Sequence, residues 1–168
     1  MNPSRHIGVM LAGLAGIVAA SADDAGEVLD RVSSSRVLTV ATAANWAPQS
    51  FLNDQNQMDG FDVDVAKEVA KRLGAEVKFV TPAWDVITAG NWAGRWDISV
   101  VSVTPTAKRA EVLNFPAVYY YTPAAVAAHA DSAASKPSDL NGKVVGACTN
   151  CTYELYRKPD LTYHPQGG

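Results

Sequence analysis

Residues 97–115 read Asp-Ile-Ser-Val-Val-Ser-Val-Thr-Pro-Thr-Ala-Lys-Arg-Ala-Glu-Val-Leu-Asn-Phe. Ile98, Val100, Val101 and Val103 are β-branched and apolar, and Gly94, Asp97 and Pro105 bound them, which is the pattern of a buried strand. Hydroxyls follow at Ser102, Thr104 and Thr106, and Arg109 falls on the first turn of an expected short helix. In an open α/β sheet, ligands lie beyond the carboxyl ends of the strands, so these groups would face a site. A guanidinium fork matches a carboxylate bidentately, and hydroxyls can add donors to the same oxygens. Capture of a small carboxylate is the chemistry suggested. The competing reading is local: Ser and Thr at strand ends often bond only their own backbone.

Upstream segments supply a parallel α/β framework. Val37 to Thr42 alternates as a strand. Ala43 to Gly60 is polar and reads as a loop, interrupted by Trp46, Pro48 and Phe51. Asp62 to Leu73 places Ala66, Val69, Ala70 and Leu73 on one helical stripe, with Gly74 as the helix stop. Val77 to Val80 forms the next strand and Trp84 to Asn91 a second short helix. Strand, helix, strand, helix, strand predicts parallel crossovers. Asp24 to Ser35 is an N-terminal helix by spacing. Asp62 is expected to cap its helix and Asp97 to fix the turn before its strand.

Several ordered motifs together resemble the periplasmic solute-binding proteins of polar amino-acid ABC transporters. They are Gly60-Phe61-Asp62-Val63-Asp64-Val65-Ala66, Trp84-Asp85, Gly94-Arg95-Trp96-Asp97, Ser102-Val103-Thr104 with Arg109, Asn114-Phe115, Tyr119-Tyr120, and Gly142-Lys143-Val144-Val145-Gly146. The resemblance covers about Val37 to Glu154. It implies a type II periplasmic-binding-protein-like α/β fold, with a nearly complete first lobe at 37–128, a linker at 129–138 and a partial second lobe at 139–168. By the same resemblance, the second lobe continues beyond Gly168 and crosses back to the first, so the chain is expected to be cut short.

The resemblance also implies site roles. Ser102, Thr104 and Arg109 match the positions that hold a ligand α-carboxylate, and Thr152 matches a second-lobe threonine at a helix start. Trp46 matches an aromatic in the first strand-to-helix loop, and Trp84 an apolar position across the pocket, where core packing is the competing reading. Ala43 stands where binders of basic amino acids carry an aspartate, so lysine, arginine and histidine lose support as ligands. Gln49 replaces a usual aromatic, and Cys151 a small hydroxyl or glycine. The aspartate that holds the ligand amine would lie beyond Gly168.

In the second lobe, Lys143 to Ala147 reads as a strand, Thr152 to Arg157 as a helix and Leu161 to His164 as the start of another strand. Cys148 and Cys151 form a single C-x-x-C. In an exported chain a local disulfide is favoured, with inert small residues next and redox or metal roles behind.

Composition bounds the rest. The 168 residues are 48% hydrophobic and 18% charged, with a net charge of −3, which offers no electrostatic footprint for nucleic acid. Met1 to Ala22 reads as an export signal: Arg5 and His6, an apolar run from Ile7 to Ala20, then Ala20-Ser21-Ala22 before a cleavage point. At roughly 1.5 Å per residue that run falls short of the ~30 Å hydrocarbon core of a bilayer. The expected product is a periplasmic monomer that needs no cofactor or metal, binds an amino acid and delivers it to an inner-membrane ABC permease. No nucleophile, base and orienter set stands out, so no catalytic residue is assigned. An enzyme on this scaffold, resembling cyclohexadienyl dehydratase with Glu154 as its acid, is one alternative. A ligand-binding lobe of a larger sensor is another.

Overall fold

The computed structural model describes residues 23–155, with side chains from 26 to 154. The proposed export signal and the strand expected at Leu161 to His164 lie outside the described residues. Helix α1 (Asp23–Ser35) leads into the central strand β1 (Val37–Ala41). A small antiparallel sheet, β2 (Asn45–Trp46), β3 (Ser50–Leu52) and β4 (Met58–Asp59), occupies the stretch expected as loop. Strands of two or three residues carry no readable period, which is why the pattern conceals them.

Helix α2 (Phe61–Arg72), strand β5 (Glu76–Val80), helix α3 (Trp84–Thr88) and strand β6 (Ile98–Ser99) follow. The main sheet runs β5-β1-β6, and both neighbours are parallel to β1. The crossovers therefore carry α2 and α3, as the alternation predicts. Beyond β6 come α4 (Ala107–Ala110), a 3₁₀ turn at Pro137–Leu140 and α5 (Thr152–Leu155).

Two glycines shape this path. Gly74 takes φ +64° as the helix stop; its N–H bonds the Lys71 carbonyl at 3.0 Å and Ala75 N–H bonds the Ala70 carbonyl at 2.9 Å, closing a Schellman motif. Gly60 lies at φ +115° with its Cβ position 2.5 Å from the Gln49 carbonyl oxygen, so no side chain fits where the small sheet meets α2.

The core gathers on the central strand. Leu38 and Val40 share one face of β1 and pack with Val32 of α1, Ala66 and Ala70 of α2, and Val100. Each fully buried valine or leucine there contributes about 1.5–3 kcal/mol. Asp97 does more than fix a turn: its buried carboxylate accepts from Thr39 N–H at 2.8 Å and pairs with Arg31, tying α1, β1 and β6 together. Trp96 is buried and donates to Ser99 Oγ at 3.1 Å, while Trp92 stacks beside it, so both act in packing.

Three expectations need correction. The strand expected through Val103 stops sooner: ladder bonds to β1 run from Asp97 N–H to Val100 N–H, and then Val103 N–H turns back to the Val101 carbonyl. Leu73 is exposed; the buried positions of α2 are Asp62, Val63, Ala66 and Ala70. Residues 143–147 form no strand, and Val144 is fully exposed. Among the described residues no strand runs beside them, and a strand exists only as half of a ladder. No described helix is long and apolar enough to cross a membrane.

Candidate functional site

The site forms where β6 releases the chain. Past Val100 the backbone leaves the sheet, presenting Ser102 and Thr104 at the carboxyl end of the strands, where ligands sit in open α/β sheets. Thr106 then caps α4, its Oγ1 accepting from Arg109 N–H at 3.2 Å. That cap orients the single turn that aims Arg109 back under the strand ends.

Arg109 is 7% exposed. Nη1 donates to the Thr104 carbonyl at 3.0 Å and Nη2 to the Asn150 carbonyl at 2.8 Å. The guanidinium carbon lies 5.3 Å from the Trp84 ring centroid, a cation–π contact worth about 0.5–2 kcal/mol. No described carboxylate pairs with it. Burial pulls its pKa below the usual arginine value, and it stays cationic. Of five N–H donors on a guanidinium, two are engaged by these carbonyls, leaving three.

Cys148 and Cys151 are joined in a disulfide, as favoured from the sequence. It closes a tight turn in which Asn150 takes φ +58°, a conformation asparagine tolerates. The turn directs the Asn150 carbonyl toward both Arg109 and Trp84, whose Nε1 donates to it at 3.3 Å. On the other side, Asn150 N–H donates to Glu154 Oε2 at 2.8 Å. The hydroxyls of Thr104 and Thr152 are 3.4 Å apart. Trp84, Thr104, Arg109 and Thr152 are thus brought together.

Ser102 is turned differently. Its Oγ donates to Asp62 Oδ2 at 3.2 Å and accepts from Tyr120, while Tyr119 Oη donates to Asp62 Oδ1 at 2.9 Å. Asp62 is fully buried inside the first turn of α2 and caps nothing; Gly60 holds the N-cap position. Desolvation raises the Asp62 pKa, against the lowering effect of bonds from Tyr119 and Ser102. Burial first, then the Asp62 charge, pushes the Tyr119 phenol far above its usual value; burial also raises Tyr120. Trp46 stands apart on β2, 42% exposed, and its indole makes no hydrogen bond or ring contact among the described residues.

Asp62 and the Asn150 carbonyl are the members that sequence reasoning missed. A signal for Asp62 existed, since it falls at i−4 from Ala66 and i−8 from Ala70 on the buried stripe. A backbone carbonyl leaves no such signal.

Residues 38–158 match the bacterial extracellular solute-binding proteins, family 3. The chain belongs to that family. It is 30% identical over 158 residues to the L-cystine-binding protein TcyJ of Escherichia coli, covering 92% of this chain and 59% of that one. With the cyclohexadienyl dehydratase of Pseudomonas aeruginosa it shares 32% identity over 115 residues, 68% of this chain and 43% of the enzyme. An arginine-bound domain 1 of TmArgBP, a point mutant, superposes with a TM-score of 0.52 at 34% identity, covering 55% of this chain and 71% of that one. The fold is therefore the type II periplasmic amino-acid-binding architecture. The chain spans about half the length of these full-length relatives.

Proposed function

We propose that the chain is the extracytoplasmic solute-binding component of an ABC importer, holding a small amino acid or related carboxylate between two lobes. Residues 37–128 form the first lobe, 129–138 the linker and 139–168 the beginning of the second. One observation carries this reading: Arg109 is a buried cation whose guanidinium meets two backbone carbonyls and, among the described residues, forms no salt bridge, and a buried charge left without a counter-ion is costly. A ligand carboxylate supplies that counter-ion. Thr104 and Thr152 add hydroxyls from the two lobes, Trp84 supplies an apolar wall, and Ser102 and Trp46 line the first lobe.

The reading includes export with cleavage after Ala22, a monomeric periplasmic product and hand-over to an inner-membrane permease, without chemistry on the ligand. Titration calorimetry of the full chain against the standard L-amino acids and L-cystine tests it. The expected outcome is saturable binding of at least one of them without turnover. Absence of binding across the panel, or conversion of prephenate or arogenate, would refute it.

A further inference from the structure

We propose that the Cys148–Cys151 bridge is a positioning element of the carboxylate site, holding the Asn150 carbonyl against Arg109 and Trp84, so that ligand affinity falls when the bridge is reduced. This rests on the reading that Arg109 meets a ligand carboxylate. The bridge encloses Thr149 and Asn150, and Asn150 takes φ +58° inside it. From that left-handed position its carbonyl accepts from Arg109 Nη2 at 2.8 Å and from Trp84 Nε1 at 3.3 Å. Arg109 Nη1 is tied to the Thr104 carbonyl at 3.0 Å, so each terminal nitrogen has its own backbone anchor and the plane of the fork is fixed. Bidentate bonding to a carboxylate depends on that plane.

The turn has little packing of its own. None of residues 141–150 is buried and none lies in a strand. A residue other than glycine is disfavoured at positive φ, and asparagine only tolerates it. A cross-link closing so short a loop excludes most other conformations of Thr149 and Asn150. Once the bridge is cut, the segment regains those alternatives and the Asn150 carbonyl leaves Arg109 and Trp84.

Thiol attack reaches the bridge through Cys148, which is exposed, whereas Cys151 is buried. A dithiol such as dithiothreitol breaks the S–S bond. It gives up two electrons and two protons and closes to its own cyclic disulfide, leaving Cys148 and Cys151 as thiols. Of its two backbone anchors, the Arg109 fork then keeps the Thr104 carbonyl.

The test is calorimetry of the full chain, oxidised and then reduced with dithiothreitol, against L-leucine, L-phenylalanine and L-glutamine. Reduction is expected to weaken binding roughly ten- to a hundredfold, the worth of one hydrogen bond to a charged group. A double variant, Cys148→Ser with Cys151→Ser, should bind as the reduced chain does and ignore the dithiol. Asn150→Gly keeps the carbonyl and reaches positive φ freely, so it should bind more tightly than Asn150→Val, whose branched side chain resists that conformation. A second measurement needs no ligand. Of the four tryptophan indole N–H resonances, reduction should move that of Trp84 and leave those of Trp46, Trp92 and Trp96 in place, since Trp92 donates to the Ile87 carbonyl and Trp96 to Ser99. Affinity unchanged or tighter after reduction, equal binding by the two Asn150 variants, a dithiol effect that survives in the double variant, or an unmoved Trp84 resonance overturns the proposal. Movement of all four resonances also overturns it, because the bridge would then support the whole fold rather than this turn. If none of the three amino acids binds while Trp84 alone moves, the transport reading fails and the link from the bridge to Arg109 and Trp84 stands.

Discussion

Replacing Arg109 with alanine isolates the charge on which the binding reading depends. The native guanidinium holds the Thr104 and Asn150 carbonyls at 3.0 and 2.8 Å, and its three other N–H donors make no hydrogen bond among the described residues. Removing one partner of a buried, hydrogen-bonded charge pair costs about 2–5 kcal/mol, which corresponds to roughly a thirtyfold to several-thousandfold loss of affinity. Arg109→Lys keeps the charge but loses the planar fork, so it should fall between the alanine variant and the native chain. Calorimetry at 25 °C with the amino acid bound most tightly by the native protein gives the affinities. Urea unfolding without ligand checks that each variant remains folded. A folded Arg109→Ala chain with native affinity would remove Arg109 from the site and refute the counter-ion reasoning.

Other consequences are open to simpler assays. Because burial raises the Asp62 pKa, the native fold bears the cost of an ionised buried carboxylate at neutral pH, and that cost vanishes below the unfolded value of about 3.9. Asp62→Asn should therefore raise Tm at pH 7 by at least about 2 °C, with the gain shrinking toward pH 4; a gain that grows on acidification contradicts the sign. Thr42 Oγ1 is buried without a hydrogen-bond partner among the described residues, so Thr42→Val, of the same shape, should stabilise by about 1 kcal/mol in urea unfolding, and destabilisation would show that the hydroxyl is satisfied. Thiol titration of the unreduced, denatured protein should find no free cysteine, and two after reduction, since Cys148 and Cys151 are joined; free thiols before reduction would contradict the bridge.

Much of the framework was legible because its elements state themselves locally. The apolar run at Ile98 to Val101, the helical stripe of Ala66 and Ala70 and the stop at Gly74 each follow from side-chain period or backbone freedom. Thr104 and Arg109 were readable as neighbours because strand ends face one crevice. What stayed hidden depends on partners distant in sequence. Residues 143–147 looked like a strand, but a strand forms only against a neighbouring strand, and among the described residues none runs beside them. Asp62 looked like a cap because aspartate favours helix starts; its burial depends on Ser102 and Tyr119, 40 and 57 residues away. The Asn150 carbonyl belongs to the backbone of a left-handed turn, and no residue type announces where such an oxygen points.

A crystal structure of the full chain with its tightest-binding amino acid addresses the central claim most directly. The ligand carboxylate should sit within hydrogen-bonding distance of the Arg109 guanidinium, beside Thr104 and against Trp84. A carboxylate held elsewhere, with Arg109 still directed only at the Thr104 and Asn150 carbonyls, would contradict it.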